Sequence, residues 1–98
     1  MTKMMESEKI VEAYLRDRMK SIGGRAYKWV SPGTVGVPDR ICVFPSGRIA
    51  FVEVKGTGGR LSAAQECQIT KLLALECRVY VVWSRFEVDH MIEEVMQT

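Results

Sequence analysis

Histidine is almost missing from this chain: His90 is the single imidazole among 98 residues. Ser/His/Asp and Cys/His catalysis both need an imidazole beside a nucleophile, and His90 falls in a predicted terminal helix with no partner. Cysteine is sparse and unpaired. Cys42, Cys67 and Cys77 are odd in number, form no Cys-x-x-Cys pair and lie far from His90. That pattern excludes a disulfide framework and a zinc site, and it fits free thiols in a reducing compartment. No apolar run approaches the length of a membrane span, and the Met-Thr-Lys-Met-Met start shows no signal peptide. Repeats, low-complexity segments and linkers are also missing. The expectation is a single soluble domain over residues 1–98, cytoplasmic and without a membrane partner.

Basic residues are missing from one place. The last thirteen positions carry Glu87, Asp89, Glu93 and Glu94 but no Lys or Arg. Without those four, the 12 acidic residues fall to eight, against 14 Lys and Arg. The net charge of +2 therefore hides a basic body with an acidic end. Such a body suits a phosphate-backbone binder, although an ordinary mixed surface has the same charge balance.

Periodicity sets out the elements. Ile10, Val11, Tyr14, Leu15, Met19 and Ile22 recur at helical spacing over residues 6–22, with Ser7 as N-cap and Gly23-Gly24 as stop. Residues 25–30 predict a short strand, and two prolines with two glycines make residues 31–38 a loop. Strands follow at 40–44 and 48–55, joined by a turn at Pro45-Ser46-Gly47. Ser62 and Gln65 form a capping box that opens a helix with Ile69, Leu72, Leu73 and Cys77 on its inner face. Residues 78–84 are β-branched and aromatic and predict a strand. Ser84 and Glu87 open a last helix, whose inner face is Val88, Met91, Ile92, Val95 and Met96. A strand–helix–strand unit over 48–84 requires a right-handed crossover, so its two strands are parallel neighbours. The fold class is α/β.

Chemistry concentrates between Asp39 and Lys55. Side chains alternate along a strand, so Glu53 and Lys55 share a face, together with Phe51. An acid and a base on one face of an apolar strand are costly unless they meet a ligand or each other. Counting back from the turn puts Asp39 opposite Glu53. Two carboxylates on adjacent strands, with the Val54 carbonyl between Glu53 and Lys55, suit a hard divalent cation such as Mg²⁺. Mg²⁺ beside a phosphodiester, with Lys55 to orient water or stabilise the transition state, makes a hydrolytic centre. An isolated Glu–Lys ion pair is the bland alternative, but it leaves Asp39 and the flanking glycine loops unexplained. Arg25, Lys28, Arg40 and Arg60 lie in or beside the loops near this site and are candidate phosphate contacts. Lys9, Arg16 and Lys20 are candidates for its flanks.

Four stretches then resemble a known family. Gly36-Val-Pro-Asp-Arg40, Glu53-Val-Lys55, Gly58-Gly-Arg-Leu-Ser-Ala-Ala-Gln65 and an early helix opening on Ser7-Glu8 are similar to the VRR-NUC (virus-type replication-repair nuclease) group of the PD-(D/E)XK nuclease superfamily. The likeness spans nearly the whole chain. It implies a restriction-endonuclease-like αβββαβ core with a mixed sheet flanked by helices, here followed by an extra C-terminal helix. It implies Mg²⁺ or Mn²⁺ on Asp39, Glu53 and the Val54 carbonyl, Lys55 as catalytic lysine, and Gln65 as a supporting residue. The family's first helix adds an acid, which here is Glu8 or, one turn on, Glu12. The implied activity is endonucleolytic cleavage of branched DNA, a Holliday junction above all, by a homodimer in a bacterial or phage-infected cell. A DNA-structure-binding module, a flap nuclease and a restriction-type nuclease are the alternatives.

Overall fold

The computed structural model describes residues 5–98. Helix α1 (Glu8–Ser21) is followed by strands β1 (Arg25–Lys28), β2 (Arg40–Val43) and β3 (Ile49–Val54), helix α2 (Ala63–Ala74), strand β4 (Val79–Val82) and helix α3 (Arg85–Met96). The sheet runs β1-β2-β3-β4, with β1/β2 and β2/β3 antiparallel and β3/β4 parallel. This is the expected αβββαβ order with its mixed sheet and additional terminal helix. No helix among the described residues is long and apolar enough to cross a membrane.

Local signals set the ends of the elements. Ser7 Oγ accepts from the Ile10 amide and opens α1, while Ser62 and Gln65 close a full capping box on α2. The expected box on α3 is only half formed. Ser84 accepts from the Glu87 amide, but the Glu87 carboxylate takes the amide of Trp83 instead of that of Ser84. Between β2 and β3 the chain turns through Pro45–Gly47, with Ser46 and Gly47 at φ 70° and 80°.

One face of the sheet carries the core. Cys42, Ala50, Val52, Val54 and Val82 are buried against Val11, Leu15 and Met19 of α1 and Val88, Met91, Ile92 and Val95 of α3. Met96, expected on the inner face of α3, is 38% exposed because the helix ends there at the rim. The other face is covered only in part. Helix α2 buries none of its residues, and Leu73, expected on its inner face with Ile69 and Leu72, is 53% exposed. Ile69 and Leu72 are half-buried, and the first turn of α2 meets the sheet through Gln65, which reaches Glu53.

Candidate active site

Asp39 is fixed at both its main chain and its side chain. Its carbonyl accepts from the Trp29 amide at 2.9 Å, and its Oδ2 accepts from the Val54 amide at 2.9 Å. Pro38, just before it, is fully buried, and Trp29 packs on Phe51 with ring centroids 5.2 Å apart. The register pairs Arg40 with Val52, so one further step places Asp39 across from Glu53. The two carboxylates face one another at the end of the hairpin. The turn and the alternation of apolar residues together set this register.

Glu53 is the one charged or polar residue in the described interior, with 1% of its surface exposed. Its Oε2 accepts from Gln65 Nε2 at 3.1 Å and lies 3.9 Å from Lys55 Nζ. Its Oε1 has no partner. Gln65 performs both roles open to it: its Oε1 accepts from the Ser62 amide, and its Nε2 donates to Glu53. One side chain thus couples the start of α2 to the central carboxylate.

Two glycines act as sockets that bring the helices to these residues. At Gly36 the backbone has φ +93°, and a Cβ there would sit 2.5 Å from the Ala64 carbonyl carbon and oxygen and 2.8 Å from the Gln65 nitrogen. Only glycine lets the loop before Asp39 touch the first turn of α2. At Gly56 a Cβ would collide with the backbone of Glu6, Ser7 and Glu8, so glycine there lets the start of α1 rest on the end of β3, beside Lys55. The glycines in the Gly-x-Pro-Asp and Lys-Gly stretches were the sequence signal for these contacts, but only the fold shows what each one touches.

The structure separates Glu8 from Glu12. Glu12 is engaged by Arg40, Oε2 to Nη2 at 3.3 Å. Glu8 is exposed and near enough for its charge to act on Glu53. Glu8 does not close with the other two acids into a metal cage. Among the described residues no three His, Cys, Asp or Glu side chains converge to hold an ion. The donor set that fits a cation is therefore Asp39 and Glu53 with the Val54 carbonyl, leaving the other positions to water, as hard cations commonly allow. The buried, unpartnered Oε1 of Glu53 supports that fit, because an ionised oxygen without a donor is costly unless a proton or a cation meets it.

One candidate phosphate contact has to be corrected. Arg40 pairs in register with Val52 and so lies on the core face of the sheet, where its side chain is only 12% exposed. Its Nη1 donates to the Ala26 carbonyl and its Nη2 meets Glu12, which makes it a strut between α1 and β1. Arg25, Lys28 and Arg60 are exposed, as are Lys9, Arg16 and Lys20 on α1. Lys28 pairs with Arg40 beside Asp39, whereas Arg25 pairs with Val43 at the other end of the hairpin. The loop carrying Arg60 is tied down by Trp83, whose Nε1 donates to the Gly59 carbonyl at 2.7 Å.

Burial pushes the Glu53 carboxyl up to about 8 from its usual 4.5. The neighbouring Asp39 carboxylate adds to the rise through charge and through a hydrogen bond that forms when one of the pair is protonated; Lys55 opposes it. A carboxyl whose folded pKa is raised contributes stability that is complete below about 4.5 and is lost as pH climbs through about 8. Metal-free protein is therefore expected to melt lower at pH 8 than at pH 5. Glu53→Gln is expected to remove that loss, gaining on the order of 2 kcal/mol at pH 8, or roughly 8 °C or more in Tm for a domain of this size. Thermal unfolding at the two pH values checks this, and equal pH dependence in both proteins would contradict it.

The comparisons agree with this geometry. A family model described as the VRR-NUC domain matches residues 2–86. The chain is 42% identical over 78 residues to "Putative nuclease p44" of Acyrthosiphon pisum secondary endosymbiont phage 1, covering 80% of this chain and 84% of that one. It superimposes on a solved VRR-NUC domain with a TM-score of 0.80 and 29% identity, covering 88% of this chain and 94% of the other. With Asp39, Glu53 and Lys55 gathered on a fold of that shape, this chain belongs to the VRR-NUC domain family of nucleases.

Proposed function

We propose that this nuclease is a divalent-metal-dependent endonuclease of branched DNA, with the four-way junction as its preferred substrate. The observation that carries the reading is the facing pair Asp39 and Glu53, with one oxygen of Glu53 buried and unpartnered. Mg²⁺ or Mn²⁺ fits there on Asp39, Glu53 and the Val54 carbonyl. Bound there, the ion supplies Lewis acidity that draws charge from the phosphodiester and makes water more acidic.

The chain's own residues do the rest. Lys55, 13% exposed beside Glu53, donates to the oxygen on which negative charge builds as water attacks phosphorus. Gln65 holds Oε2 of Glu53 and so fixes the direction of the other carboxylate oxygen. Glu8 adds negative charge at the edge of the site, where it can orient water. Arg60 and Lys28 take flanking phosphates, and Arg25, at the far end of β1, a more distant one. Pairing of two copies would supply the two cuts that a four-way junction needs. The apolar stripe of α3 is spent on its own core, so the exposed Leu73, Leu75, Tyr27 and Ile49 support pairing better.

A panel of end-labelled junctions, flaps, splayed arms and plain duplex, with Mg²⁺ or Mn²⁺, tests the reading. Junction cleavage that needs both metal and Glu53 is expected, with the active species sedimenting at twice 11.1 kDa. Intact junctions in every condition, with no Asp39-dependent heat of Mn²⁺ binding, would leave only a DNA-structure-binding module. The phosphate contacts have their own test. Arg60→Ala is expected to weaken DNA binding and to lower the salt slope by about 1. Arg40→Ala is expected to lower Tm and leave that slope unchanged, which binding titrations at several salt concentrations would check.

A further inference from the structure

The residues just before α1 are bound to the site through a second set of contacts, separate from the metal ligands. The Glu6 amide donates to Thr57 Oγ1 at 2.9 Å, and the Thr57 amide donates back to the Glu6 carbonyl at 2.8 Å. Glu6 Oε1 accepts from the Arg85 amide at 3.0 Å and from Arg85 Nε at 2.6 Å. The carboxylate thereby takes the first amide of α3, one of the donors a helix leaves unsatisfied at its start. Gly56, between Lys55 and Thr57, has no room for a side chain because this segment lies directly on it. These partners lie 51 and 79 positions away in sequence, and the contacts meet two residues before Glu8 and two after Lys55.

We propose that Glu6 and Thr57 are positioning residues for the nuclease centre. They clamp the first turn of α1 onto the end of β3 and so set Glu8 beside Glu53 and Lys55. A free N-terminal segment could let Glu8 swing with the helix end; a segment held at its main chain, its carboxylate and its contact with Gly56 cannot. Glu6 and Thr57 also line one wall of a cleft of roughly 540 Å³, together with Arg60, Trp83 and Glu87. The proposal rests on the reading of Asp39 and Glu53 as the metal-dependent centre.

Thr57→Val removes the acceptor at nearly constant shape, Thr57→Ser keeps it, and Glu6→Gln keeps an oxygen for Arg85. Each is compared with wild type for junction kcat and KM, for Mn²⁺ affinity by calorimetry without DNA, and for Tm. Thr57→Val is expected to lower kcat on the order of tenfold with KM nearly unchanged, as displacement of a catalytic group does, and to weaken Mn²⁺ several-fold. Thr57→Ser is expected to restore both, and Glu6→Gln to lose less than Glu6→Ala. In a Glu8→Ala background, Thr57→Val is expected to cost nothing more, since the clamp then holds nothing that acts. Equal losses in both backgrounds, or a folded Thr57→Val with wild-type kcat and Mn²⁺ affinity, would overturn the clamp. Wild-type cleavage by Glu8→Ala would overturn it too and leave the Asp39–Glu53 centre standing. A wild-type protein that neither binds Mn²⁺ nor cuts DNA overturns both.

Discussion

Asp39→Asn is expected to lower junction cleavage by about 10³-fold or more while the protein stays folded. The magnitude follows from the several kcal/mol that a correctly held cation contributes to the transition state, at a factor of ten for every ~1.4 kcal/mol. Folding is expected to survive because the asparagine carbonyl oxygen can still accept from the Val54 amide, the bond that Asp39 Oδ2 makes at 2.9 Å. The substitution also carries a signature that loss of structure would not give. Removing the Asp39 charge removes one of the causes that raise the Glu53 carboxyl, so Glu53 should titrate lower in the variant than its about 8. Mn²⁺ calorimetry should show the binding heat gone, and circular dichroism should match wild type. Cleavage within tenfold of wild type would remove Asp39 from the chemistry, whatever its place in the fold.

A large expected loss of stability comes from a single methyl group. Gly56→Ala has no side-chain escape, since its Cβ would meet the backbone of the Glu6–Glu8 stretch, 2.7 Å from the Glu6 carbonyl oxygen and 2.8 Å from the Ser7 carbonyl carbon. Either the start of α1 lifts or the end of β3 bends, and a cost of roughly 3 kcal/mol is expected. In a domain of this size that lowers Tm by about 12 °C or more. Gly36→Ala should match or exceed it, because a close approach to α2 is joined there to a left-handed backbone at φ +93°. Gly47→Ala is the control. Its φ is +80° with nothing within 4 Å of a Cβ, so it should cost only about 1 kcal/mol. Equal Tm losses at Gly56 and Gly47 would show that the sockets are not tight.

The facing of Asp39 and Glu53 was legible from a turn and a period of two. Pro45-Ser46-Gly47 fixes where the hairpin reverses, and a register slip of one would have put Ala50, Val52 and Val54 in solvent. The double role of Gln65 was visible as a capping box and as a family resemblance, and the structure satisfies both with one side chain. Arg40's place beside Asp39 in sequence hides its face. Alternation turns it away from the site, and Glu12 from a distant helix then takes its charge. The inner face that spacing assigns to α2 is only half buried: Ile69 and Leu72 are partly covered, and Leu73 is 53% exposed. Periodicity reports a stripe and does not say whether another element is free to cover it.

The sequence by itself determined the element order, the parallel β3/β4 pair, the facing of Asp39 and Glu53 and the nuclease family. Each is carried by local periodicity, turn chemistry, a sequence motif or the handedness of a strand–helix–strand crossover. Only the tertiary structure decided that Glu8 and not Glu12 is the acid near Glu53, that Glu53 keeps one oxygen unpartnered, and that Gly36 and Gly56 are helix sockets. Those outcomes depend on which surfaces meet across tens of residues. Burial and charge pairing there are properties of the packed chain, and no local pattern encodes them.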